Sequence, residues 1–225
     1  LMILVPKPVE KSKSLSPNIL STLDFRPVWQ NYPARTYIIA YMCHMWEMFA
    51  ARSWMVAFIA YAASLQPHST PFMAPTTVMA VAGIFGMIAS ILFGELAVKF
   101  GRHRIVSIIM AISGLFGLSL GFLVDVPFPA LIFLCIGYTI FFQGDSAAIH
   151  AGVITAADPD KRGGTMALQS LAGFMAASLS PIAVGYILDI TGGGKTTLSW
   201  GLTFGAMSST AFLGLFLLFK TQTKA

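Results

Sequence analysis

The chain has 225 residues and a net charge of +5, with 56% hydrophobic residues, only 10% charged residues and a mean hydropathy of +0.75. Soluble domains carry roughly 25% charged residues, so an ordinary water-soluble globule is excluded. Long apolar runs without the period-two alternation of barrel strands imply membrane helices, because a bilayer core takes about 20 helical residues to cross and lipid satisfies no backbone hydrogen bonds.

Residues 1–35 come first. "LMILVPKP" is apolar and then stops at prolines, which reads as the tail of an earlier membrane helix. A signal peptide would place its charge ahead of its apolar core. The next stretch, "VEKSKSLSPNILSTLDFRPVWQNYPAR", is polar and proline-containing and is expected to form an irregular cytoplasmic linker. Six spans are expected in residues 36–225, at 36–65, 75–100, 103–124, 128–157, 163–189 and 198–219. The loops carry turn residues: "QPHSTPFMAP" after the first span, "VDVPFP" after the third, "DPDKRGG" after the fourth and "DITGGGKTT" after the fifth. "GGGK" lacks the spacing of a phosphate-binding loop and reads as a turn.

Charge orients these spans. Lys7, Lys11, Lys13, Arg26, Arg35, Lys99, Arg102, Arg104, Lys161, Arg162, Lys220 and Lys224 fall on one side. The opposite loops hold only Lys195, and Arg52 is inside a span. The positive-inside rule places both termini in the cytoplasm, as an even number of spans requires. The same placement accounts for the net charge without nucleic acid as a partner. Cys43 and Cys135 lie inside apolar runs and are expected to be packing residues rather than a disulfide framework.

Ionisable residues inside a membrane are costly and usually face a cavity or a partner. On the first span Tyr37, Tyr41, His44, Met48 and Arg52 fall within an arc of about 80°, with Glu47 about 60° beyond His44. The fourth span carries Gln143, Asp145, Ser146 and His150. Tyr138 and Asp145 share one face, whereas Thr139, Gln143, Ser146 and His150 share another. Glu47 lies about 16 Å from the basic end of its span and Asp145 about 18 Å from that end of its own, at about 1.5 Å per residue. Matching depth makes His44, Glu47, Arg52 and Asp145 candidates for one site.

The loop "GELAVKFGRHR" (residues 94–104), set between two spans, resembles the cytoplasmic helix–helix loop of major facilitator superfamily transporters. Gly94, Glu95, Lys99, Gly101, Arg102 and Arg104 carry the likeness. The family's acidic fifth position is Val98 here, and Glu95 is the nearby acid. "GFMAASLSPIAVGYILD", with Pro181, Gly185 and Asp189 four apart, is similar to the family's penultimate helix, while "YMCHMWEMFAARSW" and "GDSAAIHAGVITAADPDKRGGTMALQSLAGF" look like a bacterial subgroup. The resemblance implies an all-α membrane protein comprising the C-terminal six-helix half of a transporter in a bacterial inner membrane. The N-terminal half would precede this chain. It also implies that the first and fourth helices line a central cavity, with the basic loop gating the cycle.

Secondary transport of a small solute by alternating access, coupled to protons, is therefore expected. A buried acid such as Glu47 could carry the proton, and Arg52 suits an anionic group through paired hydrogen bonds. A channel is the alternative, although no filter motif is visible. An intramembrane hydrolase using Ser146 and His150, one helical turn apart, is the enzyme alternative; a helix interior supplies no oxyanion site. No cofactor or metal cluster is expected.

Overall fold

The computed structural model describes residues 24–66 and 73–222, and among them every regular element is helical. The expected end of an earlier helix at residues 1–5 lies outside these. The expected linker is corrected at its end: α1 spans Arg26–Gln30 and α2 spans Tyr32–Ser64, so residues 32–35 already form the first helical turn. Asn31 is the cause. Its side-chain oxygen accepts the Ala34 N–H at 3.0 Å, and Pro33 occupies the first turn, where its missing N–H costs nothing.

α3 (Pro75–Phe100) and α4 (Arg102–Leu120) meet at Gly101, whose φ of 94° suits glycine. α4 stops at Leu120 rather than residue 124, because the Phe122 and Leu123 amides turn back to Ser119 and Leu120. The fourth span is interrupted: α5 (Phe128–Gly144) and α6 (Ser146–Ala156) are separated by Asp145. A short 3-10 turn, Pro159–Lys161, leads to α7 (Arg162–Ile190), and α8 (Thr197–Gln222) follows the glycine turn at 192–194.

Among the described residues five spans are long and apolar enough to cross a membrane: Pro75–Phe100, Arg102–Leu120, Phe128–Ala156, Pro159–Ile190 and Thr197–Thr221. α2 is long enough but carries His44, Glu47 and Arg52 and is not among the five. It is instead the helix around which the others pack, touching α3, α5, α6, α7 and α8. Met55, Phe58, Ile59 and Ala62 on α2 are fully buried. Phe58 meets Trp200 and Phe204 of α8 with ring centroids 5.4 and 4.7 Å apart. The outer helices are apolar on the outside: Ile84, Ile88 and Ile91 on α3 and Phe174, Ile182 and Tyr186 on α7 are exposed. In water such faces would associate; in lipid they are the solvated surface.

Pro181 lies inside α7. There the Trp54 indole N–H of α2 donates to the Pro181 carbonyl at 3.0 Å. A side chain at Gly185 would run into that indole ring, so the Pro181–Gly185 spacing makes a berth for Trp54.

The two ends of the bundle are tied separately. Asn31 donates to the Ala156 carbonyl at 3.0 Å, Arg102 to Thr155 at 2.9 Å, and Thr221 to Thr36 at 3.1 Å. These bonds gather the start of α2, the α3–α4 turn and the ends of α6 and α8. At the other end Gln66 accepts the Phe128 N–H at 3.1 Å and donates to the Val126 carbonyl at 2.8 Å. Trp200 donates to the Gly194 carbonyl at 2.9 Å, making the glycine turn a structural cap.

Candidate functional site

Three ionisable side chains of α2 reach three polar side chains of the interrupted fourth span. His44 Nδ1 lies 2.8 Å from Asp145 Oδ1. Glu47 Oε1 accepts the Tyr138 hydroxyl at 2.9 Å and the Ser113 hydroxyl of α4 at 2.8 Å. Arg52 Nη2 donates to Gln143 Oε1 at 2.7 Å. Both polar faces of the fourth span thus reach α2, one through Tyr138 and Asp145 and the other through Gln143.

These contacts differ in their access to solvent. His44, Glu47 and Asp145 are 2%, 4% and 3% exposed, whereas Arg52 is exposed. Glu47 is held by two hydroxyls and, among the described residues, has no basic partner. A buried carboxyl without a counter-ion is costly in its charged form. His44 Nε2 is buried without a hydrogen-bond partner. Asp145 Oδ1, although 2.8 Å from Nδ1, is likewise buried without a hydrogen bond. The four sequence candidates therefore form a buried layer, His44–Asp145 and Glu47, and an exposed arginine, rather than one open cluster.

The break at Asp145 has local causes. A side chain on Gly144 would collide with the Phe93 ring of α3. The Ala147 amide donates to Ser90 Oγ of α3 at 3.2 Å. Gly86, also on α3, leaves room for the amide of Gln143, which turns its oxygen to Arg52. Such a break is tolerated within a membrane where side chains and neighbouring helices engage the freed backbone.

Sequence reasoning missed Ser113, whose partner sits on a helix distant in the chain, and the role of Gln143 as the acceptor for Arg52. Gln169 of α7 was also missed; its amide lies 2.9 Å from His150 Nδ1. His150 lies with its ring centroid 4.6 Å from that of Tyr41, the two rings tilted at 56°, and makes no hydrogen bond with Ser146. The pairing required by a serine hydrolase is therefore not formed.

The basic loop is built as a tight turn. Gly94 packs against Ala147 of α6, Glu95, Val98, Lys99 and Arg104 are exposed, and Arg102 bonds Thr155. Glu95 makes no ion pair with Arg102; the hydroxyl of Thr155 takes that place.

A comparison with curated proteins gives no match. The model of the Major Facilitator Superfamily matches residues 2–225. Together with the membrane-length helices and the basic turn between α3 and α4, this match assigns the chain to membrane transport. The chain belongs to the Major Facilitator Superfamily.

Proposed function

We propose that this chain is the C-terminal six-helix half of a secondary transporter that moves a small solute by alternating access, driven by protons, with both termini cytoplasmic. The observation that carries the proposal is Glu47: a carboxyl 4% exposed, near the middle of α2, held by Ser113 and Tyr138 without a cation. Gaining a proton removes a buried charge, and losing it restores a strong acceptor for the two hydroxyls. The His44–Asp145 pair adjoins it on the same pair of helices and gives the proton a second station. Chains of Asp, Glu and His inside membrane bundles are suited to proton relay.

Arg52 presents its guanidinium at the exposed side of the same helix pair, anchored at one nitrogen by Gln143. The remaining N–H groups suit a carboxylate or another anion on the solute. The partner half would close the cavity over it, as in transporters whose halves rock around a midplane site.

The test uses the complete transporter in proteoliposomes with a solute found by screening. Glu47→Gln keeps the hydrogen-bonding shape and removes the titrating group. It is expected to abolish proton-driven accumulation while solute counterflow without a gradient persists. Accumulation with unchanged pH dependence would make Glu47 structural and move the proton to Asp145. Arg52→Lys keeps the charge but loses the planar fork, and is expected to weaken solute binding tenfold or more, about the loss of one good charged hydrogen bond.

A further inference from the structure

Away from the polar core, α4 and α8 pack side by side and leave a groove of ≈ 220 Å³ at the basic end of the bundle. Arg104, Ser107, Ile108 and Ala111 line it from α4, at spacings of three and four that put them on one stripe. Leu215 and Phe219 line it from α8. Arg104 is exposed at the mouth, and Lys220, the next residue on α8, is exposed at the same end with its Nζ 4.4 Å from the Phe216 ring centroid. No acidic side chain lines the groove.

Two further features concern what the groove holds. Ser107 is 5% exposed, and its hydroxyl is buried without a hydrogen-bond partner. A membrane-helix serine normally bonds a carbonyl one turn back, as Ser208 does here, so this hydroxyl is an unused polar group in the groove wall. The first turn of α4 also has no side-chain cap, because Gly101 stands at its N-cap. Uncapped first-turn amides favour an anion.

We infer that the α4–α8 groove is a binding site for an anionic phospholipid, its phosphate held by Arg104 and the start of α4 and its acyl chains lying along the exposed apolar face of the two helices. That face continues from the groove through Ile112 and Leu115 on α4 and Phe216 on α8, all exposed. The charge and the apolar track must occur together for a lipid. A free phosphate would use the cations and leave the track empty, whereas a neutral lipid would use the track and gain nothing from Arg104. Basic pockets between membrane helices are suited to anionic headgroups. The site does not depend on what the transporter carries.

The test is native mass spectrometry of the full chain in detergent, titrated separately with phosphatidylglycerol and phosphatidylcholine. Phosphatidylglycerol is expected to be retained at least fivefold over phosphatidylcholine. Arg104→Gln is expected to cut that retention about fivefold, the effect of one interfacial cation. Arg104 is exposed, so this variant keeps the fold. Ser107→Leu, which fills the groove, is expected to act in the same direction, with thermal unfolding as its folding control. Arg162→Gln, on the same basic side at the start of α7, is expected to leave retention within twofold. Equal retention of the two lipids, or no effect of Arg104→Gln, overturns the site. An equal loss in Arg162→Gln reduces it to diffuse attraction. Displacement of the lipid by excess inorganic phosphate would show that a free anion, not a lipid, is the occupant.

Discussion

At the scale of single residues, the buried carboxyl of Glu47 is satisfied by neighbouring polar side chains. Glu47 depends on Ser113 and Tyr138, and each hydroxyl is buried by the same packing that brings it to the carboxyl. Removing one donor leaves the carboxyl under-satisfied in a medium with no water to replace it. Tyr138→Phe is therefore expected to destabilise the protein by about 1–2 kcal/mol, near the upper range for a membrane-buried hydrogen bond. Thermal unfolding in detergent reads this directly. Ser209→Ala is the comparison, since that exposed hydroxyl bonds only the Ala206 carbonyl of its own helix and should change little. Equal effects of the two substitutions would remove Glu47 from the list of groups that need their partners.

At the scale of elements, the contact between α2 and α7 depends on Gly185 receiving Trp54. Gly185→Ala is expected to cost about 1–3 kcal/mol by overpacking. That cost should largely vanish when Trp54 is already alanine, a non-additivity that a double-mutant cycle reads. The α3–α4 turn makes a second expectation: at φ 94°, Gly101→Val is strained by about 1–2 kcal/mol. It should slow turnover while leaving solute affinity within a few-fold. Five of the helices were legible in the sequence because lipid demands long uninterrupted apolar runs. α2 was legible too, through the stripe of polar residues that it buries. The break at Asp145 was not, because its causes lie in Phe93, Ser90 and Gly86 on another helix. The early start of α2 was legible after the fact: Asn31 followed by Pro33 is a helix-start signal. Depth matched Glu47 with Asp145, whereas the His44–Asp145 contact and Gln143 as the acceptor for Arg52 needed the third dimension.

At the scale of the whole molecule, charge and contact divide the bundle into the same two ends. Arg35, the α3–α4 turn with Lys99, Arg102 and Arg104, the Lys161–Arg162 pair and Lys220 belong to the end tied by the Asn31, Arg102 and Thr221 bonds. The opposite end, tied by Gln66 and Trp200, carries Lys195 as its only described basic residue. By the positive-inside rule the proposed orientation puts the basic end in the cytoplasm, and an odd number of crossings between two loops would put those loops on opposite sides. Cysteines introduced at Asp160, after α6, and at Thr196, after α7, are separated by a single crossing through α7. They should react with an impermeant maleimide from opposite sides of sealed cells, Thr196→Cys from outside and Asp160→Cys only after permeabilisation. The native Cys43 and Cys135 are 2% and 0% exposed, so the background is expected to be low without removing them. Labelling of both sites from outside would mean that α7 does not cross, and the arrangement of six spans with paired cytoplasmic ends would fall with it.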